Sequence, residues 1–203
     1  MNDNLIITIS RAYGIPGRAV GKKLAEELGI AYYDNEIMAD MMPKEEAEYY
    51  RTAGESTGAD KRFTSKTYTQ FYQEGGAVEV LSRNMQMFRS QSELMLKLAG
   101  EGSAVFVGRC ADKVLEDCPR LVKVFIGASE EYRLLRAMEL YKVNAKQAKS
   151  MMKEVDKARG AYYRFFADRE WGLRENYDLC FNAEKVSEDA MVAAIKAYVE
   201  GLL

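Results

Sequence analysis

Arginines and glycines, not nucleophiles, are the residues of this chain whose spacing could do chemistry. No histidine occurs in its 203 residues, which excludes Ser–His and Cys–His nucleophilic catalysis and histidine-ligated metal within the chain. Acid, base or metal-ligand work must fall to carboxylates, Lys, Tyr or Cys. The densest signal lies between Leu5 and Gly29: an Ile-rich run to Ile9, a turn holding Gly14 and Gly17, Arg18 directly after it, and an amphipathic segment ending at Gly29. A buried strand, a glycine turn and a Gly-capped helix form the arrangement that presents helix N-terminal N–H groups to a phosphate. The chemistry it points to is that of nucleotides.

The loop is degenerate as a phosphate motif. No Gly-Lys followed by Ser or Thr occurs, and the Gly21-Lys22 pair lies a turn too deep in the helix and is followed by Lys23. Gly14-x-x-Gly17 does not make the dinucleotide pattern GxGxxG, and Asp34 comes early for its ribose-binding acid. On pattern alone, a βα unit whose glycine turn holds no ligand stays open beside the phosphate loop. Gly21 shares a helix face with Leu24 and Leu28, which lets the helix lie close on the sheet, a packing role.

The elements that must position these residues alternate. Strand-like runs fall at Leu5–Ser10, Ile30–Tyr33, Ala104–Val107, Leu121–Ile126 and Asp178–Phe181, with helical patterns between them. Ser129, Asn144 with Gln147 three residues on, and Ser187 read as helix N-caps. Such alternation implies a parallel sheet, which binds ligands beyond the carboxyl ends of its strands. The loop after Ser10, the turn at Asp34 and the Gly108-Arg109 turn all fall on that edge. About seventy residues without a strand separate the second and third runs, including the polar stretch from Thr52 to Lys61, and read as an inserted helical subdomain. A second interruption, from about Arg133 to Trp171, carries Arg133, Arg136, Lys153, Asp156, Arg159 and Arg164 beside Tyr162, Tyr163, Phe165 and Phe166. A phosphate-closing lid would need such arginines, although single charges there are more often a solvated helix face.

Composition sets the outer limits. With 48% hydrophobic residues the chain can bury one substantial core, and two large domains are not expected. A formal net charge of -2 from well-mixed acids and bases leaves no basic footprint for nonspecific nucleic-acid binding. Cys110, Cys118 and Cys180 are too scattered for a zinc site or a disulfide framework, and the first residues lack a signal-peptide pattern. A soluble cytoplasmic protein without nucleic-acid or membrane partners is the expectation.

With these residues in view, the chain resembles the cytidylate kinase-like family of P-loop proteins. The resemblance is carried by Ile7 to Gly14, by Gly17 to Ala25, by Tyr32-Tyr33-Asp34, by Val107-Gly108-Arg109 with Ala111-Asp112, and by Asp156 to Arg159 through Asn176 to Asp178. Its most specific parts are the Ser-Arg-x-Tyr-Gly opening and the Val-Gly-Arg-x-Ala-Asp turn. It implies a single domain over 1–203: an α/β, three-layer P-loop NTPase fold with a five-stranded parallel sheet, a helical NMP-binding insertion at about 36–100 and a lid at about 137–172.

The resemblance further implies transfer of the ATP γ-phosphoryl group, with Mg²⁺, to CMP or dCMP, a reaction that relies on positioning and charge neutralisation. The implied donor-phosphate residues are Gly14, Gly17, Arg18 and Gly21, with Arg18 near the place of the phosphate-bridging lysine. Arg109 and Asp112, Arg89 and Gln91, and the Asp156/Arg159 pair are implied acceptor contacts. Arg136 stands at a lid position over the donor, and Asp34 where a carboxylate could orient Mg²⁺-bound water or the acceptor ribose. Ala19 and Val20 stand where P-loop kinases supply the Ser/Thr hydroxyl for Mg²⁺, so the metal ligands are unassigned. Pro16 stands where this family commonly has Gly, and it removes one N–H donor. A noncatalytic nucleotide-binding or sensing protein, or a kinase for another small metabolite, are the alternatives.

Overall fold

β-Branched residues concentrate in the runs that form the sheet, and both faces of that sheet are covered, as parallel sheets require. The computed structural model describes residues 3–44, 46–47 and 77–202. Its strands are β1 (Leu5–Arg11), β2 (Ala31–Tyr33), β3 (Ala104–Val107), β4 (Arg120–Gly127) and β5 (Leu179–Asn182). They pair in the order β2-β3-β1-β4-β5, every pair parallel. The helices among the described residues are α1 (Gly17–Leu28), α2 (Asn35–Asp40), α3 (Ala77–Glu101), α4 (Ala111–Val114), α5 (Glu130–Tyr141), α6 (Ala145–Ala167) and α7 (Glu188–Glu200), with a 3₁₀ turn at Arg174–Asn176.

Alternation along β1 splits the core into two layers. Leu5, Ile7 and Ile9 pack with Val20 and Leu24 of α1 and with Met191, Val192 and Ile195 of α7. Ile6 faces the other way, with Phe106, Met38 of α2, and Met95, Leu98 and Ala99 of α3. Each such side chain contributes about 1.5–3 kcal/mol when fully buried. Ile6, Ile7, Ile9, Val122, Val124 and Ile126 are all at most 1% exposed, so the centre of the sheet is a rigid platform for the loops at its carboxyl edge.

Most expected boundaries hold to within a residue. Gly29 closes α1 at φ +65°, and Ile30 lies outside β2 because its N–H caps α1 on the Ala25 carbonyl at 3.0 Å. Arg11 belongs to β1, since it stays in register with Ile126 of β4. Ser129 accepts from the Tyr132 N–H, Ser187 from the Ala190 N–H, and Asn144 forms a reciprocal capping box with Gln147. Gly21 packs as its helix face implies: an added Cβ would stand 2.9 Å from Val107 Cγ2 and 3.2 Å from Tyr32 Cε2. Within the expected insertion the described residues form α2 and α3; the stretch from Thr52 to Lys61 lies outside the described residues.

Candidate active site

β1 is the middle strand, and the chain leaves it at the carboxyl edge of the sheet. The Ala12 N–H still donates to the Ile126 carbonyl at 3.0 Å, after which the backbone turns away. Gly14 sits at φ +81°, and a Cβ there would lie 2.8 Å from the Arg133 carbonyl oxygen. Only glycine satisfies both the left-handed conformation and the close approach. α1 then begins behind Pro16, which supplies no side-chain cap. The Gly17 N–H is taken by the Ile15 carbonyl at 2.9 Å, while no side chain caps the N–H groups that follow it in the first turn, the condition under which an anion is favoured there.

Helix α6 is tied to this loop by its Asp156 and Arg159. Asp156 Oδ1 accepts from the Tyr13 N–H at 2.9 Å, and its Oδ2 accepts from Arg133 Nη1 at the start of α5. Arg159 Nη1 donates to the Arg11 carbonyl at 3.0 Å and stands 3.9 Å from Asp156 Oδ1. The Tyr13 ring stacks on Tyr141 with 5.3 Å between centroids and packs among Ala137, Ala148, Met152 and Val155. Arg18 turns toward α2, 2.8 Å from Glu36 and 3.6 Å from Asp34. Asp34 itself caps α2, accepting at Oδ1 from the Glu36 and Ile37 N–H groups at 3.0 and 3.1 Å, and accepts from the Tyr32 hydroxyl at Oδ2.

Beneath the loop lies Arg11. A Cβ on Gly17 would meet its Cγ at 2.9 Å, and one on Gly108 would meet its Nη1 at 2.5 Å. The side chain thus spans from the first turn of α1 to the turn after β3. Burial first, then the charges of Arg159 and Arg18, push its guanidinium down to about 9; it stays protonated at neutral pH. Burial also lowers Arg159, against the pull of Asp156.

The turn after β3 is left-handed over Gly108, Arg109 and Cys110, with φ of +85°, +63° and +55°. A non-glycine residue in that region costs roughly 1–2 kcal/mol. The conformation is held by the Gly108 N–H on the Ile9 carbonyl at 3.0 Å and by burial of Cys110 with Tyr163 and Ala167. The Arg109 guanidinium lies 5.6 Å above the Tyr162 ring, a cation–π distance.

Of the sequence-derived site residues, Gly14, Gly17, Arg18, Asp34, Arg109, Asp156 and Arg159 come together at this edge. The others have different partners, although Gln91 adjoins Arg109 through Tyr162. Gly21 is in the helix–sheet contact. Asp112 is 2% exposed and accepts from the Tyr163 hydroxyl at 2.5 Å, with its carboxyl pushed up by burial. Gln91 is fully buried and donates to the Tyr162 hydroxyl at 2.5 Å. Arg89 is exposed and paired with Glu93 at 2.8 Å, and Arg136 reaches Glu139 at 3.4 Å. Sequence reasoning passed over Arg11 and Tyr13, although both stand in the Ser-Arg-x-Tyr-Gly opening that was its most specific signal.

Residues 6–185 match the sequence profile of the cytidylate kinase-like family. The chain belongs to that family. An uncharacterized protein from Eubacterium ventriosum is similar over 98% of this chain and 99% of its own, at 28% identity and a TM-score of 0.73. A shikimate kinase from Bacteroides thetaiotaomicron aligns over 97% and 98% of the two chains, at 13% identity and TM-score 0.54. A gluconokinase from Sinorhizobium meliloti aligns over the whole of both, at 16% and 0.52. No curated protein sequence matches. The five-stranded parallel α/β fold of this cytidylate kinase-like chain is that of the P-loop kinases, and phosphotransfer is the activity class that family and fold support. Among the described residues no helix is long and apolar enough to cross a membrane, and no group of three or more acids or cysteines could hold a metal ion.

Proposed function

We propose that the protein is a cytoplasmic, ATP-dependent nucleoside monophosphate kinase with CMP or dCMP as its acceptor. The observation that carries this reading is the convergence of Arg11, Arg18 and Arg159 at the edge where α1 begins without a side-chain cap: burial and the neighbouring arginine charges lower Arg11 and Arg159, whereas Asp34 and Glu36 hold Arg18 raised. Such like-charge crowding in a half-buried site is relieved by a polyanion. In the transfer, an oxygen of the acceptor 5′-phosphate bonds to the γ-phosphorus as the bond from that phosphorus to the β,γ-bridging oxygen breaks. CMP and ATP give CDP and ADP. The chain's part is to orient the two phosphates and offset their charge.

Gly14, Gly17 and the first turn of α1 hold the donor phosphates in this reading, and Arg109 and Arg159 hold the acceptor phosphate. The long helices α3 and α6 close over the acceptor and donor as insertion and lid. Mg²⁺ would be held chiefly by the phosphates of ATP and by water, and would offset their charge, since no acid cluster among the described residues forms a cage. Asp34, which caps α2 beside Arg18, is the carboxylate that would meet Mg²⁺ through water in this reading.

A second reading, a nucleotide-binding protein without turnover, is favoured by two observations: Asp156 already occupies the Tyr13 N–H, and Ala19 offers no hydroxyl. A kinase acting on another small metabolite is the third, because P-loop kinases share the donor site and vary the acceptor site. ATP-dependent phosphorylation across a panel of nucleoside monophosphates, deoxymonophosphates and small hydroxylated metabolites, with binding followed in the same samples, separates the three. Turnover confined to CMP and dCMP is expected. Binding without turnover supports the second reading, and turnover of another acceptor the third.

A further inference from the structure

We propose that Arg11 is the phosphate-bridging cation of this site, spanning the donor loop and the Gly108-Arg109 turn in the role that a P-loop lysine fills elsewhere. The inference rests on the phosphotransfer reading and assigns a residue to it that the family motif, read by its Gly and Arg18 positions, leaves out. Arg18, the residue the sequence puts nearest the lysine, has its charge met by Glu36 at 2.8 Å and Asp34 at 3.6 Å on the first turn of α2. Asp156 is likewise engaged by Arg133 and Arg159. Among the described residues no carboxylate forms an ion pair with Arg11.

Its geometry is that of a bridge. The aliphatic stem lies under Gly17, with Cγ, Cβ and Cδ at 2.9, 3.1 and 3.2 Å from where a Cβ would stand, and Nη1 reaches 2.5 Å from the corresponding point on Gly108. Any side chain at either glycine would have to displace it. The head group therefore sits between the residues that would hold the donor and the residue, Arg109, that would hold the acceptor. A planar fork at that junction can offer N–H groups to oxygens on both sides. The structural alternative is that Arg11 merely fills space beneath the loop. The two accounts differ in sign: a filler stabilises the free protein, whereas a cation without an ion-pair partner, for which burial and the charges of Arg159 and Arg18 outweigh the opposing pull of Tyr32 and Asp34, does not.

The test uses Arg11→Met, which keeps the stem and removes the charge, and Arg11→Gln, with inorganic tripolyphosphate as the probe. Binding is measured by calorimetry at fixed ionic strength and melting temperature without ligand. Wild type is expected to bind tripolyphosphate, and both variants to bind it at least tenfold more weakly while melting no lower than wild type. Variants that bind as wild type does, variants that both fail to fold, or a wild type that does not bind tripolyphosphate would each overturn the assignment. The phosphotransfer reading stands or falls separately, on turnover by the wild type with ATP: turnover that survives unchanged in Arg11→Met removes only Arg11.

Discussion

Asp156 of α6 accepts from the Tyr13 N–H at 2.9 Å, so a carboxylate of this long helix sits on a backbone donor of the loop that follows β1. The contact couples two elements whose separation in sequence is large, and it works against an anion approaching the same loop. Asp156 also gathers Arg133 and Arg159. One side chain thus ties α6 to the loop after β1, engages one of that loop's N–H groups and pairs with two arginines.

Asp156→Asn should therefore act oppositely on stability and on binding. The amide oxygen can still accept from Tyr13, but Arg133 and Arg159 lose their counter-charge. Breaking a partly buried, charge-assisted network costs about 1–3 kcal/mol, so the free protein should melt lower. Tripolyphosphate affinity should rise by several-fold, since the freed arginines now favour the anion. Melting curves with and without tripolyphosphate check both. Weaker binding would mean that Asp156 helps the anion site, and a relaxed preference for cytosine nucleotides would return it to the acceptor role implied by its motif.

Arg109→Ala should lower kcat/KM for the acceptor by at least tenfold, roughly 1.4 kcal/mol of transition-state stabilisation, with little change in the melting temperature. The reason for the split is conformational. Ala at φ +63° keeps the left-handed strain that Arg109 already bears, so only the guanidinium is lost. Steady-state kinetics at varied CMP, beside thermal melts, reads the two effects apart. A large loss of stability with unchanged kinetics would make Arg109 a structural partner of Tyr162.

The framework was legible because its signals are local. Ile-rich runs, the left-handed Gly29 and the oxygen-bearing caps Ser129, Asn144 and Ser187 fix where elements begin and end. The glycine loop and the Gly108-Arg109 turn followed from strand ends at one sheet edge. What was not legible depends on which way a side chain leaves its element. Arg89 and Gln91 are two residues apart on α3, and that spacing sends Gln91 into the contact with Tyr162 and Arg89 to solvent. Asp112 follows a left-handed turn that aims it into the interior, toward Tyr163. Arg11 reads as a polar residue ending a strand, and its path beneath Gly17 is visible only in three dimensions.

Gly21→Ala should destabilise the protein and leave phosphate binding alone. A methyl group there meets Val107 Cγ2 at 2.9 Å, Tyr32 Cε2 at 3.2 Å and Ile9 Cδ1 at 3.4 Å. Those neighbours belong to the sheet and cannot yield without moving α1, and such overpacking costs typically 1–3 kcal/mol. Chemical denaturation measures the loss. A loss of tripolyphosphate affinity in excess of that explained by unfolding would return Gly21 to the phosphate loop.

Asp112→Asn tests the buried carboxylate through pH. Burial raises the folded pKa of Asp112 above its ordinary value of 3.8, and the hydrogen bond from Tyr163 opposes that shift only in part. For an acid whose folded pKa is raised, the folded state holds more protons than the unfolded state in the window between the two values, so stability falls as pH rises through it. Above that window the ionised carboxylate is a constant burden on the fold. The amide carries no such burden and still accepts from the Tyr163 hydroxyl. Asp112→Asn should accordingly be the more stable protein at neutral pH, and its advantage should shrink as pH is lowered toward 3.8. Urea denaturation of both proteins across that range is the measurement. A variant less stable than wild type at neutral pH, with no convergence on acidification, would show that the Asp112 charge itself holds the turn after β3.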